Sequence, residues 1–181
     1  GLQLAHQPEW HSYWKNSGDS GLPTRLEWKL PSGVMAGEIA WPAPRKFLLG
    51  TLVNYGYEQT VLLPVPLTIT PEFNPSLLAD ALDIKIKASW LVCRELCSPE
   101  EGEFSVSMSA KSTTASHGPA FEASFAAQPK PLAGQASATS EGAALRLRVS
   151  GLPADLKGKP LEFFPETAEV IETSAKWSQA W

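Results

Sequence analysis

The chain contains two cysteines, Cys93 and Cys97, four positions apart. Cysteines at this spacing on one helical turn would have Cα atoms about 6 Å apart, which is within the range of a disulfide. Such a pair can form and break its bond with little movement of the backbone. The spacing therefore favours thiol–disulfide exchange, in which a thiolate attacks a disulfide sulfur and a neighbouring thiol releases the mixed disulfide.

Other interpretations of the pair remain open from the residues alone. A structural disulfide in a non-enzymatic β-sandwich interaction module is one, although closing so small a loop removes only about 2 kcal/mol of unfolded-state freedom. A copper- or zinc-binding carrier is another, since thiolates suit soft metals. It would need a histidine from His6, His11 or His117, but their spacing matches no zinc motif, and we assign no metal ligand.

Alternation of apolar and polar residues predicts a strand on each side of the cysteines. Residues 84–90 carry apolar side chains at every second position before the pair, and residues 104–108 do so after it. We therefore expect the two cysteines in a short turn between two strands, closed by Ser98 and Pro99. Trp90, Arg94 and Glu95 are the residues that we expect around the two thiols. Acidic residues outnumber basic ones near the pair, so we predict that neither thiol has a lowered pKa.

The rest of the chain predicts an all-β fold, an immunoglobulin-like β-sandwich with a short second β segment after a linker. Strand patterns occur at residues 2–4, 26–30, 39–41, 61–67, 145–149 and 161–164, separated by turns among the 16 prolines. One short helix is expected at residues 74–82, with Asn74 as its cap. We expect a redox domain at 1–127, a linker at 128–140, and at 141–181 the start of a second β-domain or a packed extension.

Composition excludes several classes of function. The net charge of −4 argues against nucleic-acid binding, which needs clustered basic residues. The longest apolar run, residues 61–67, is too short to span a bilayer.

Residues 1–4 read as the end of a strand, so we expect the sequence to come from a longer precursor. Residues 18–21, GDSG, match the nucleophile segment of trypsin-like proteases, but too little chain precedes them to supply the scaffold and triad partners.

Several segments of the chain resemble the amino-terminal periplasmic region of the DsbD-type transmembrane thiol:disulfide interchange proteins, including the ScsB-like branch. They are residues 8–16 (PEWHSYWKN), 18–24 (GDSGLPT), 54–58 (NYGYE), 90–97 (WLVCRELC) and 163–166 (FFPE). The resemblance implies an immunoglobulin-like domain in the periplasm, part of an inner-membrane protein, that acts as a protein-disulfide reductase without a cofactor. Its implied partners are a thioredoxin-like domain of the same or a partner protein, which supplies electrons, and oxidised periplasmic thioredoxin-fold substrates.

The resemblance also implies roles for individual residues. Cys97 would form mixed disulfides with partners and Cys93 would resolve them, although the spacing here is shorter than in the best-known members. In the family a loop with an aromatic ring caps the cysteines and swings away when a partner docks.

The segment that matches the cap loop is Asn54, Tyr55, Gly56, Tyr57 and Glu58. The two tyrosines are the candidate caps, and the glycine between them would supply backbone freedom.

Overall fold

The computed structural model describes residues 1–74, 81–109 and 116–181. Over these residues the chain forms antiparallel sheets with one α-helix, which confirms the predicted all-β fold class. The strands are β1 Leu2–Ala5, β2 His11–Gly18, β3 Arg25–Lys29, β4 Val34–Ala36, β5 Arg45–Leu49, β6 Leu52–Glu58, β7 Thr60–Leu63, β8 Leu67–Ile69, β9 Ala81–Cys93, β10 Cys97–Ser109, β11 Ala136–Glu141 and β12 Ala144–Val149. The helix α1 is Gly118–Ala126, and a single 3₁₀ turn is Ala154–Leu156. No helix in the described part of the chain is long and apolar enough to cross a membrane.

The largest sheet has the strand order β10-β9-β2-β6-β5, with β3 also paired to β9. Two small sheets, β1-β7 and β4-β8, pack against its inner face. One half of the core joins β1 and β7 to Trp14 and Tyr55, and the other joins β4 and β8 to the apolar side chains of β9. The result is a two-layer sandwich with its core between the large sheet and the two small ones.

The alternation predicted before the cysteines is confirmed in β9. Leu82, Ile84 and Ile86 are buried, while Asp83, Lys85 and Lys87 between them are exposed. Burial of each of these aliphatic side chains stabilises the fold by roughly 1.5–3 kcal/mol. A strand with period two must send the odd-numbered positions, Cys93 among them, to the opposite, outer face.

Several local predictions were wrong, and prolines explain part of the difference. The strand expected at 61–67 ends at Leu63, because Pro64 and Pro66 have no amide hydrogen for a ladder. Residues 39–41 and 161–164 are irregular rather than strands. Residues 75–80 of the expected helix lie outside the described residues, and its last two residues begin β9 instead.

The C-terminal segment contacts the sandwich at several points. Phe164 packs edge-on against Trp14 and Tyr55, with ring centroids 6.4 and 5.2 Å apart. The Asn16 side-chain amide donates a hydrogen bond of 2.8 Å to the Pro165 carbonyl. By contrast, β11 and β12 pair with each other and every side chain of the two strands is exposed. Residues 136–140 of the expected linker belong to β11, and the division into domains stays a prediction.

Candidate functional site

The two cysteines form a disulfide across the mouth of a β-hairpin. Cys93 ends β9, Cys97 begins β10, and the two are paired Cα partners with their Cα atoms 4.1 Å apart. The connection is therefore a three-residue hairpin loop rather than a helical turn. The Arg94 amide donates to the Leu96 carbonyl at 3.2 Å and closes this loop. The predicted position of the pair between two strands is confirmed, but the turn is shorter than expected, because Ser98 and Pro99 belong to β10 instead of closing it.

The two sulfur-bearing residues differ sharply in exposure. Cys93 is 0% exposed, because β9 runs inside the sheet and its last residue pairs with His11 of β2 as well as with Cys97. Cys97 is exposed, since β10 is an edge strand that pairs with β9 and with no other strand of the described chain. A partner arriving from solvent would meet Cys97 first.

Tyr13 is the aromatic side chain that reaches the disulfide. Its hydroxyl lies 3.7 Å from Cys97 Sγ and donates the hydrogen bond, because a disulfide sulfur carries no hydrogen. Burial raises the pKa of Tyr13, so the phenol keeps this proton at neutral pH. Tyr13 is completely buried, and its ring lies under Gly21, where any Cβ would approach ring carbons to 2.2 Å.

The GDSG segment holds this ring in place. The Asp19 carboxylate accepts the Val53 amide at 2.7 Å, and Asn54 Oδ1 accepts both the amide and the hydroxyl of Ser20 at 3.0 Å. With both polar side chains committed to β6, the loop bends over Tyr13 and positions Gly21 on its ring. Residues 18–21, which we call the clasp, therefore have a structural role. This agrees with the argument against a protease.

His11 and Phe47 extend the aromatic surface beside the cysteines. The His11 imidazole stacks on the Phe47 ring, with centroids 4.9 Å apart and planes 7° apart, and meets Tyr13 edge-on at 5.3 Å. His11 is 5% exposed, and burial lowers its pKa while the charge of Glu58 opposes that shift. The sequence named His11 only as one possible histidine of a metal carrier, and it gave Phe47 no role. The only available signal was that His11 and Tyr13 alternate within one aromatic segment.

The prediction of a cap loop at Asn54 to Glu58 is wrong, because these residues form the interior strand β6. Tyr55 packs in the core, and the Tyr57 hydroxyl donates to the Pro42 carbonyl at 2.7 Å. A Cβ on Gly56 would lie 1.9 Å from the Ser12 carbonyl oxygen, so this glycine permits close strand packing rather than backbone freedom. A role of exposed Glu58 in partner binding stays a prediction.

Of the three residues predicted to surround the thiols, two lie in the hairpin loop beside the cysteines and one does not. Trp90 packs against the inner core, on the face opposite to Cys93. Arg94 lies in the hairpin loop, 3.6 Å from the Glu9 carboxylate and above the Trp10 ring at 6.0 Å, and Glu95 is exposed beside it. The ordinary thiol pKa expected from the acidic surroundings stays a prediction.

No three His, Cys, Asp or Glu side chains among the described residues come close enough together to hold an ion. What the arrangement offers instead is an accessible sulfur, a buried sulfur bonded to it, and a phenol donating to the accessible one. An accessible disulfide sulfur with a second sulfur bonded to it is what disulfide exchange requires.

Comparisons with known proteins agree with this chemistry. The family model for the N-terminal region of the thiol:disulfide interchange protein DsbD matches residues 1–108, so the chain belongs to that family. The crystal structure of the N-terminal periplasmic domain of ScsB from Proteus mirabilis superposes with a TM-score of 0.57 at 18% identity. The match covers 83% of this chain and 57% of that one, and it shows the shared fold. A search of curated proteins gave no match. The resemblance inferred from the sequence is confirmed.

Proposed function

We propose that this thiol:disulfide interchange domain is an electron relay in the periplasm, within a membrane-embedded parent protein. It accepts electrons from a thioredoxin-like domain of the same or a partner protein. It passes them through Cys93 and Cys97 to oxidised periplasmic proteins of thioredoxin fold, as a protein-disulfide reductase that needs no cofactor. The family supports the exchange chemistry, and the ScsB domain, named periplasmic, supports the location.

The observation that carries this proposal is the unequal exposure of the two cysteines. Exchange requires an incoming thiolate to approach a disulfide sulfur in line with the bond that breaks. Cys97 is accessible and Cys93 is buried, so the attack falls on Cys97 and the Cys93 sulfur leaves. The exposure supports the assignment of Cys97 as the partner-binding cysteine and Cys93 as the resolving one.

The forward cycle then follows in two balanced steps. In the reduced domain the Cys97 thiolate attacks a partner disulfide, which forms a mixed disulfide and releases one partner sulfur as a thiolate. Cys93 then attacks Cys97, which restores the Cys93–Cys97 bond and releases the second partner sulfur. The partner gains two electrons, and the domain returns to the oxidised state seen here.

Tyr13 contributes by holding the Cys97 sulfur. A hydroxyl that donates to a disulfide sulfur at 3.7 Å can donate more strongly to the same sulfur when it is a thiolate, because hydrogen bonds to charged acceptors are the stronger ones. The bond therefore favours the attacking thiolate of Cys97, against the opposing effect of the acidic residues around the pair. The clasp formed by residues 18–21 keeps the phenol at this distance.

The surroundings of Cys97 also suit protein docking. Leu96, the residue next to it at the tip of the hairpin, is 81% exposed. A large apolar side chain so exposed beside a reactive sulfur gains free energy when a partner covers it, by about 25 cal/mol for each Å² buried. The partner surface that fits is an apolar one surrounding an accessible cysteine.

The reduction potential of the Cys93–Cys97 disulfide tests this proposal. We expect a value above about −300 mV and rapid equilibration with a reduced thioredoxin-fold protein, because structural disulfides lie below that value. The measurement is equilibration against a series of dithiol/disulfide ratios, with thiols quantified by alkylation and mass. A potential below about −300 mV with no exchange would identify a structural disulfide instead. Tight Cu(I) or Zn(II) uptake by the reduced protein, without exchange, would favour the metal carrier.

A further inference from the structure

The resolving step poses a problem of proton transfer at Cys93. A thiol must lose its proton before it can attack, and burial disfavours the thiolate. Cys93 is 0% exposed, so water has little access to remove that proton. A group inside the protein has to accept it if the mixed disulfide is to be resolved quickly.

His11 is the side chain placed to do this. His11 and Cys93 are directly opposed Cα partners on the adjacent antiparallel strands β2 and β9. Side chains of opposed residues point to the same face of a sheet, with Cβ atoms about 4.5–5.5 Å apart. The stacked Phe47 ring and the edge of Tyr13, whose hydroxyl contacts Cys97 Sγ, fix the plane of the imidazole.

One ring nitrogen of His11 is free to accept a proton from Cys93. Its Nε2 atom is buried and has no hydrogen-bond partner among the described residues. A buried polar atom without a partner costs free energy, so its retention calls for an explanation. In the disulfide the Cys93 sulfur carries no hydrogen and cannot donate. Reduction gives Cys93 a thiol hydrogen on the strand position opposite His11.

We infer that His11 is the proton-transfer residue for Cys93, accepting the thiol proton when Cys93 resolves the mixed disulfide and returning it when Cys93 is the leaving group. This inference deepens the proposed function and rests on it. In resolution the Cys93 S–H bond breaks and its proton moves to the imidazole. The Cys93–Cys97 bond then forms as the Cys97–partner bond breaks. The electron pair leaves on the partner sulfur, and the imidazolium gives its proton to that thiolate or to water.

The charges around His11 suit both halves of this transfer. Burial, aided by His6, lowers the pKa of His11, so the imidazole is neutral and able to accept a proton at neutral pH. Glu58, its Cα partner on β6, opposes the shift and stabilises the imidazolium once it forms. The other groups packed against it, Tyr13 and Phe47, carry no charge at neutral pH.

His11→Gln in the full chain tests the inference, with His117→Gln as the matched control at an exposed histidine. The reduced protein is mixed with an oxidised thioredoxin-fold partner, and formation and decay of the mixed disulfide are followed separately between pH 5 and 9. We expect decay in His11→Gln to be slower by about 100-fold at pH 7, the lower end of general acid–base effects. Formation, which depends on Cys97, should change by less than about threefold.

The pH profile separates proton transfer from a structural role. In the wild type and in His117→Gln, the decay rate should fall at low pH with an inflection below the ordinary histidine pKa of about 6.5, because burial lowers the pKa of His11. In His11→Gln that inflection should vanish, and the rate should rise with pH towards the thiol pKa of about 8.5. A decay rate and profile equal to those of the wild type would overturn the inference.

A second measurement uses the wild type alone and decides the matter if His11→Gln does not fold. The ¹⁵N resonances and titration of the His11 ring are compared by NMR between the oxidised and the reduced protein. We expect the Nε2 resonance to shift on reduction as it accepts the Cys93 thiol hydrogen. An unchanged resonance and pKa would contradict the inference. Failure of the wild type to react with any thioredoxin-fold partner would contradict the proposed function but leave this NMR result standing.

Discussion

Cys97→Ser and Cys93→Ser are each expected to reduce disulfide-exchange turnover to the uncatalysed background. Either change removes one of the two sulfurs between which the electron pair moves, and no cysteine is left over to replace it. The fold should survive, because a disulfide that closes so short a hairpin contributes only about 2 kcal/mol on the chain-entropy model. The measurement is a coupled assay with a reduced thioredoxin-fold donor and an oxidised acceptor.

The reduced wild type is the matched control for stability, because it lacks the same cross-link but keeps both sulfurs. Each serine variant should melt within about 2 °C of that control, and about 4–8 °C below the oxidised protein. Turnover retained by both variants would show that the pair is not the site of exchange. Loss of the folded state in both variants would show instead that the disulfide is a structural staple.

Phe164→Ala is expected to lower the free energy of unfolding by about 2–3 kcal/mol, somewhat less than a fully buried phenylalanine because Phe164 keeps some exposure. Its ring contacts Trp14 and Tyr55, and Lys46 Nζ lies 5.5 Å from its centroid. Removing the ring leaves a cavity against the core and loosens the C-terminal segment from β2. Urea denaturation of the oxidised protein measures the change.

Trp177→Ala is the control for this substitution, since it removes a larger ring that is 55% exposed in the same segment. We expect it to change the free energy of unfolding by less than about 1 kcal/mol. Equal effects of the two substitutions would contradict the view that Phe164 anchors the segment to the sandwich. The exchange rate per folded molecule should be the same in both variants, because neither side chain lies at the disulfide.

The sequence predicted the elements whose signal is local. Residues 84–90 alternate strictly, and a strand of this period must bury one face whatever it pairs with. The strands on either side of Cys93 and Cys97 also followed from local pattern, because an alternating run lies on each side of the pair. The resemblance then added the chemistry, which residue spacing alone left open between exchange, a structural disulfide and a metal site.

The predicted cap segment, residues 54–58, shows where matching a short segment to the family misleads. A glycine between two tyrosines reads as a flexible loop, yet Gly56 is a glycine because the Ser12 carbonyl passes so close to it. That approach is set by the pairing of β6 with β2, between residues more than forty positions apart. Long-range pairing of this kind leaves no mark within a short window of sequence.

The same limit applies to residues whose contacts the sequence did not reveal. His11 has a role only because β2 pairs with the last residue of β9. Tyr13 has one only because Gly21 of the clasp packs on its ring while its hydroxyl contacts Cys97. Phe164 was assigned to a strand, but its position is set by the core that it covers. The role of each of these residues depends on contacts with residues that are distant in the sequence.

Trapping the mixed disulfide tests the central claim most directly. A thioredoxin-fold protein that retains only its attacking cysteine, activated with thionitrobenzoate, is mixed with reduced Cys93→Ser or reduced Cys97→Ser, and adducts are quantified by intact mass and peptide mapping. We predict a stable one-to-one adduct on Cys97 in Cys93→Ser, formed at least about tenfold faster than any adduct in Cys97→Ser, because Cys97 is exposed and Cys93 is buried. Equal or faster adduct formation through Cys93, or no adduct in either variant, would contradict the account.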